Sequence, residues 1–312
     1  MHPILSVCIP TYNRLTILRK RIDFFKSLAS VEGIQVHIHD NNSQDGSYEY
    51  LKRNLSGIRD IFLRRHSENI GASKNVLSFF SRVKTDYCVF LSDEDELIID
   101  NVATYLAFLR NKKPIYVRGN FFELDGRLKM RMRSRPKPLN VGNVDINSTY
   151  ISGIIFSVEK SISTAKKINE LIDSSEYARF FPHQFLLIEL FTTYKKGFFV
   201  HGLPIVRKKD NVFGGCDNSA STAAAGFREW ESVAMRWGIF KSKLVTLKSL
   251  HRPSDKIIPI LIWRHKYSMM STITTAIKRE LPELSDYVTQ PRSIVRRSMS
   301  AVRLRSLALS LK

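Results

Sequence analysis

Over the first hundred residues, short apolar runs alternate with longer stretches of helical spacing, and that alternation predicts a parallel sheet covered by helices. Residues 5–9, 34–39, 61–63 and 87–91 read as strands, while residues 15–28, 47–55 and 72–83 repeat apolar side chains along one helix face. Parallel strands joined in this way require right-handed crossovers. From Pro114 the pattern loosens into shorter strands and turns, with a hairpin expected at Asp125-Gly126 inside residues 120–132. A helix is expected over residues 183–194, then strands at 198–201 and 205–207. After Lys241, Pro253, Pro259, Pro282 and Pro291 divide the chain into short helices. The expected layout is an α/β domain over residues 1–240, with halves at 1–100 and 101–240, followed by a helical appendage over 241–312.

Composition narrows the partners. The 312 residues are 43% hydrophobic, enough for one substantial core and a modest appendage, which excludes a disordered chain or a small stapled scaffold. Lys and Arg number 49 against 29 acidic residues, a formal charge of +20 with a pI near 10.0, so an anionic partner is expected. Phosphate-bearing ligands, nucleic acid and anionic membrane surfaces all satisfy that charge. Residues 241–312 carry fifteen Lys and Arg against four acids, an excess of +11. Cys8, Cys88 and Cys216 are too scattered for a disulfide framework or a zinc site, which fits a reducing cytoplasm. The N-terminus enters an apolar strand with no basic leader, so the chain is not expected to be exported. No apolar run approaches the roughly 20 residues that span a bilayer, and membrane contact is expected to be peripheral.

The chemistry gathers after the strands, where open α/β sheets hold their ligands. Pro10-Thr11-Tyr12-Asn13-Arg14 follows the first strand, Asp40-Asn41-Asn42-Ser43-Gln44-Asp45-Gly46 the second, and Ser92-Asp93-Glu94-Asp95-Glu96 the fourth. Together they offer a tyrosine for ring stacking, a carboxylate for a base or ribose hydroxyl, and acids suited to a divalent cation, which outlines a nucleoside diphosphate site. Singly, each also reads as scaffold. The first loop is equally a helix cap at Thr11 or Asn13, the second an Asx-rich turn, and the third an acidic helix approach.

At these stretches, and at Asn69-Ile70-Gly71-Ala72-Ser73-Lys74-Asn75, the sequence resembles the inverting glycosyltransferases of family 2, and at Leu91-Ser92-Asp93-Glu94-Asp95-Glu96-Leu97 their abequosyltransferase-like branch. The resemblance is strong over residues 4–100, fair to about 213, and absent beyond. It implies a GT-A, Rossmann-like core that moves a sugar from a nucleoside diphosphate to a glycan, lipid-linked in bacterial O-antigen, capsule or other surface-polysaccharide synthesis. It further implies donor contacts from Pro10, Thr11, Tyr12, Asn13, Arg14, Asp40, Asn42, Lys74, Asp93 and Glu94. Asp95 would coordinate Mn²⁺ or Mg²⁺, with Asp93 on the ribose or a metal-bound water. The implied location is cytoplasmic, peripheral on the inner face of the membrane, with no nucleic acid partner.

An inverting displacement needs a base for the acceptor hydroxyl. Family members supply it from an acidic pair opening a late helix, and here Phe181-Pro182-His183-Gln184 stands in that place without the pair. His183 is the expected substitute, since imidazole titrates near neutrality, though a structural histidine at the helix start fits as well. Glu189 is a further candidate. Ser152 and Gly153, ahead of an apolar strand, are expected on the acceptor side, with a buried strand bulged at the glycine as the plain alternative. Arg207, Asp210 and Asn211 follow the last strand as a loop expected to order on binding. Two rivals remain: a sugar nucleotidyltransferase, which lacks its glycine-rich first loop here, and a non-catalytic nucleic-acid-binding protein, supported by pI alone.

Overall fold

The computed structural model describes residues 3–130, 134–139, 150–172, 182–194 and 196–209. They build one mixed nine-stranded sheet, ordered β3-β2-β1-β4-β8-β6-β9-β5, with β7 paired to β9. The strands are β1 (Leu5–Thr11), β2 (Ile34–Asp40), β3 (Ile61–Arg65), β4 (Tyr87–Phe90), β5 (Glu96–Leu97), β6 (Tyr116–Phe122), β7 (Pro136–Pro138), β8 (Ile154–Ser157) and β9 (Phe198–Arg207). β3, β2, β1 and β4 run parallel, β1, β2 and β4 being buried on both faces and β3 a half-exposed edge, and β8 then pairs antiparallel to β4. The helices are α1 (Leu15–Leu18), α2 (Ile22–Ala29), α3 (Ser47–Leu55), α4 (Ala72–Ser78), α5 (Ile99–Lys112), α6 (Val158–Leu171) and α7 (Pro182–Thr193). None of the described helices is long and apolar enough to cross a membrane.

Strand alternation divides the interior. Val7, Ile9, Val36, Ile38 and Val89 join Leu18, Phe25, Leu28, Leu51, Leu55, Val102 and Leu109 from α1, α2, α3 and α5 in one core. On the opposite side Phe90 meets Phe79, Phe80 and Phe156 edge to face at 5.7–6.2 Å, and Phe156 meets Tyr116 at 5.3 Å. Cys8 and Cys88 are buried and free, and burial pushes the Cys8 thiol up.

Three departures from the pattern have physical causes. The single helix expected over 15–28 is broken into α1 and α2, joined by a tight turn in which Lys20 N–H reaches Ile17 O and Arg21 N–H reaches Leu18 O. The break buries Arg21, whose guanidinium turns toward the acidic loop. The helix expected over 72–83 ends at Ser78 and finishes as one 3₁₀ turn. The two strands expected at 198–201 and 205–207 form the continuous β9, bulged against Asn120, whose side-chain amide donates to Gly202 O at 2.9 Å. The hairpin at Asp125-Gly126 is present, closed by Glu123 N–H to Arg127 O with Gly126 at φ +78°. The basic region 241–312, Asp210, Asn211 and Cys216 lie outside the described residues.

Candidate active site

The carboxyl ends of β1 and β2 finish side by side, with Thr11 in register with Asp40. Thr11 is no helix cap: its hydroxyl donates to Asp93 Oδ2 at 2.6 Å, and α1 has no side-chain cap. Asp40 is fully buried. Its Oδ1 accepts the Ser43 N–H at 2.9 Å, with Arg65 Nε 3.8 Å away, while Oδ2 is enclosed without a hydrogen-bond partner. Burial raises this carboxyl above the usual range, partly offset by Ser43 and Arg65.

The loops are stitched together around that edge. Asn13, in the left-handed region at φ 51°, donates its N–H to Ser43 Oγ at 2.8 Å and accepts the Gln44 N–H on its side chain at 2.9 Å. Asn42 is also left-handed, at φ 65°. Asn41 donates to Asn69 Oδ1 at 2.7 Å and accepts the Ile70 N–H at 3.0 Å, which ties the Asn69-Ile70-Gly71 turn to the second loop. Pro10, Tyr12 and Asn42 are half-buried along this rim, and Lys74 is half-buried in the first turn of α4.

The acidic loop folds onto the same edge. Arg14 reaches Asp93 Oδ1 at 3.3 Å and Glu94 Oε2 at 2.7 Å, so a cation expected at the phosphates is spent in part on the acids. Burial first, then the hydrogen bond and charge of Asp93, push Glu94 up to about 8. Arg21 pairs with Glu96 Oε1 at 3.1 Å and donates to the Asp95 carbonyl, fixing the loop from below. Asp95 is 1% exposed. Its Oδ2 accepts the hydroxyls of Tyr150 at 2.6 Å and Ser152 at 2.7 Å, whereas Oδ1 is buried without a partner. Burial raises the Asp95 carboxyl, and burial with the Asp95 charge raises the Tyr150 phenol, so the phenol remains a donor.

Among the described residues no three His, Cys, Asp or Glu side chains gather as a metal-holding group. Mg²⁺ and Mn²⁺ bind through one or two carboxylates plus substrate phosphates, and Asp95 Oδ1 is a carboxylate oxygen of that kind. Both oxygens of Asp93 are engaged, by Thr11 and Arg14. The donor set therefore fits a cation held by Asp95 and the ligand more than one held by the Asp93–Asp95 pair.

His183 is buried at the second position of α7, and Glu189, further along the same helix, meets Lys167 of α6 at 3.3 Å. Gly153 takes φ +81° in the turn before β8, and its N–H donates to Phe90 O at 2.9 Å. Ser152, expected on the acceptor side, is fully buried with its hydroxyl committed to Asp95 and to the Ser92 N–H. Sequence reasoning missed Arg21, Tyr150 as a partner of Asp95, and Lys208. Lys208 lies 5.3 Å from the Tyr150 ring centre and 3.7 Å from Glu123, one wall of a cavity of about 610 Å³ lined also by Phe122, Arg127 and Lys129. A polar Tyr150-Ile151-Ser152 stretch abutting an apolar strand was the only signal for the first partner pair.

Residues 6–165, just over half of the chain, match the family model of glycosyl transferase family 2. The abequosyltransferase RfbV of Salmonella typhimurium is 27% identical over 206 residues, covering 61% of this chain and 62% of that enzyme's length. A GalNAc(5)-diNAcBac-PP-undecaprenol beta-1,3-glucosyltransferase of Campylobacter jejuni is 25% identical over 241 residues, 74% of each chain. Among solved structures, S. aureus TarS 1–349 in complex with UDP-GlcNAc superposes with a TM-score of 0.57 at 10% identity, over 89% of this chain and 92% of that one. The fold is GT-A, as the resemblance to the family implied.

Proposed function

The chain belongs to glycosyl transferase family 2, and from that premise we propose that it moves a sugar, with inversion, from a nucleoside diphosphate to a lipid-linked glycan of a bacterial surface polysaccharide. The observation that carries this reading is a pair of buried carboxylate oxygens without partners, Asp40 Oδ2 at the end of β2 and Asp95 Oδ1 in the loop after β4, the two strands that flank β1. An enclosed, unsatisfied carboxylate oxygen costs about 1–3 kcal/mol, and a ligand that pairs with it recovers that cost. A hydrogen-bond donor of the nucleoside at Asp40 and a divalent cation carried with the diphosphate at Asp95 would meet both. The abequosyltransferase and undecaprenol-diphosphate relatives support the pathway and the acceptor class.

In this reading Asp40, Asn42, Tyr12 and the Pro10-Thr11 strand end hold the nucleoside. Thr11 and Arg14 fix Asp93 toward the ribose, and Glu94 stands beside it. Arg14 and Lys74 lend positive charge to the phosphates. A divalent cation on Asp95, Mn²⁺ or Mg²⁺, would neutralise charge growing on the departing diphosphate. The cavity beside Glu123, joined to Asp95 through Lys208 and Tyr150, supports an acceptor on that side. His183, at the start of α7, takes the acceptor hydroxyl's proton.

A thermal-shift panel of UDP, GDP, CDP and their sugars, with and without Mn²⁺, tests the donor site. A true donor at a hundred times its Kd adds about 2.7 kcal/mol of stability. Asp95→Asn should remove the metal-dependent part and Asp40→Asn weaken both parts; no response to any diphosphate rejects the reading. For the base, His183→Ala should lower turnover by roughly 10²–10⁴-fold with donor affinity unchanged. Unchanged turnover in that variant, with a loss in Glu189→Gln, transfers the role to the glutamate.

A further inference from the structure

Two hydroxyls converge on a single oxygen of Asp95, while the other, with the charge of Lys208 nearby, is buried without a hydrogen-bond partner. The Ser152 oxygen already accepts the Ser92 N–H at 2.9 Å, which occupies a lone pair and turns its one hydrogen onto Asp95 Oδ2. The Tyr150 phenol donates to the same oxygen at 2.6 Å. Neither donor is loosely placed. The Tyr150 ring packs 4.4 Å from Phe121, with the Arg118 guanidinium 5.8 Å and the Lys208 ammonium 5.3 Å from its centre. Arg118 also donates to the Ser152 carbonyl at 3.2 Å, and the Gly153 N–H fastens the turn to the end of β4. With both hydrogen bonds on Oδ2 the carboxylate cannot rotate freely, and Oδ1 is held in one direction, buried and without a hydrogen-bond partner.

We propose that Tyr150 and Ser152 are positioning residues that dedicate Oδ1 of Asp95 to the divalent cation that would accompany the donor diphosphate. The proposal rests on the reading of Asp95 as the cation's carboxylate. Hydrogen-bond partners of metal-binding carboxylates act through orientation, and their loss typically costs 10–100-fold in metal affinity. The hydroxyls of Tyr150 and Ser152 are both spent on Asp95, so these residues act through it.

Calorimetric titration of the full chain with UDP, GDP and CDP, each with and without Mn²⁺, identifies the nucleotide with the largest Mn²⁺-dependent gain in affinity. That nucleotide is then titrated into Tyr150→Phe, Ser152→Ala and Asp95→Asn. The expected result is a gain cut about tenfold or more in each hydroxyl variant and abolished in Asp95→Asn, with metal-free affinity unchanged in the two hydroxyl variants. Equal loss with and without Mn²⁺ in the hydroxyl variants overturns the proposal, because it marks a packing role. A gain kept in both hydroxyl variants but lost in Asp95→Asn overturns the clamp alone. A gain kept in Asp95→Asn overturns the carboxylate assignment and the clamp together.

Discussion

Two histidines on β2 show how a single residue's environment sets a property of the protein. His37 stacks on Phe62 at 4.6 Å and His39 on Phe79 at 3.7 Å, with His39 Nδ1 2.8 Å from Ser78 Oγ. Burial lowers His37 to about 4; burial, then the charges of Arg64, His37, His66 and Arg82, lower His39 to about 3. A folded-state value below the unfolded one means that the unfolded chain takes up protons first. The stability these histidines contribute is complete above about pH 6.5 and declines as pH falls toward 4 and 3, by about 1.4 kcal/mol per histidine at pH 5.5. Raised carboxyls at Asp40 and Asp95 act in the opposite sense, so the histidine share is read from a difference. Urea denaturation of wild type and His39→Gln between pH 7.5 and 5 should show a shallower acid decline in the variant; parallel curves would refute it. At this scale Thr11, Asp40, Asp93 and Asp95 were legible because each follows a strand in sequence. The partners of Asp95 were not, since Tyr150 lies 55 residues away and only the turn at Gly153 brings it back.

At the scale of elements, periodicity located strands well because β1, β2 and β4 are buried on both faces and read as unbroken apolar runs. It failed where a polar contact overrides local pattern. The α1–α2 break serves Arg21's bonds to Glu96 and the Asp95 carbonyl, and no helical periodicity encodes a partner 75 residues away. The β6–β9 pairing depends similarly on a close approach. A Cβ at Gly119 would collide with Ile205 Cγ2 and lie 3.0 Å from both the Gly153 carbonyl oxygen and the Tyr105 hydroxyl. Gly119→Ala should destabilise by about 1–3 kcal/mol through overpacking, and would push on the turn that carries Ser152. Chemical denaturation measures the first effect; a midpoint equal to wild type would show that the sheet opens without strain. Gly126→Ala meets nothing within 4 Å and, though strained by its φ of +78°, lies on an exposed turn, so it separates crowding from backbone strain.

For the whole molecule, charge is the property that the catalytic core leaves unexplained. An acidic site of Asp93, Glu94, Asp95 and Glu96 sits in a chain of +20, and +11 of that excess belongs to residues 241–312, outside the described residues. Apolar Ile257, Ile258, Ile260, Leu261, Ile262, Trp263, Ile294, Val295, Met299 and Val302 are interspersed with the basic residues there. A lipid-linked acceptor presents its sugar at a membrane surface, and each Lys or Arg near an anionic surface is worth about 1 kcal/mol. Engagement of a few of the fifteen basic residues therefore suffices for reversible attachment, and salt should weaken it because the attraction falls off within a Debye length. Co-sedimentation with anionic and neutral vesicles, at low and high salt, reads this directly. Binding should be confined to anionic vesicles, fall with salt, and weaken on removal of residues 285–312 while the nucleotide-induced thermal shift persists. Equal sedimentation of truncated and full-length protein would place the excess charge elsewhere in the protein's function.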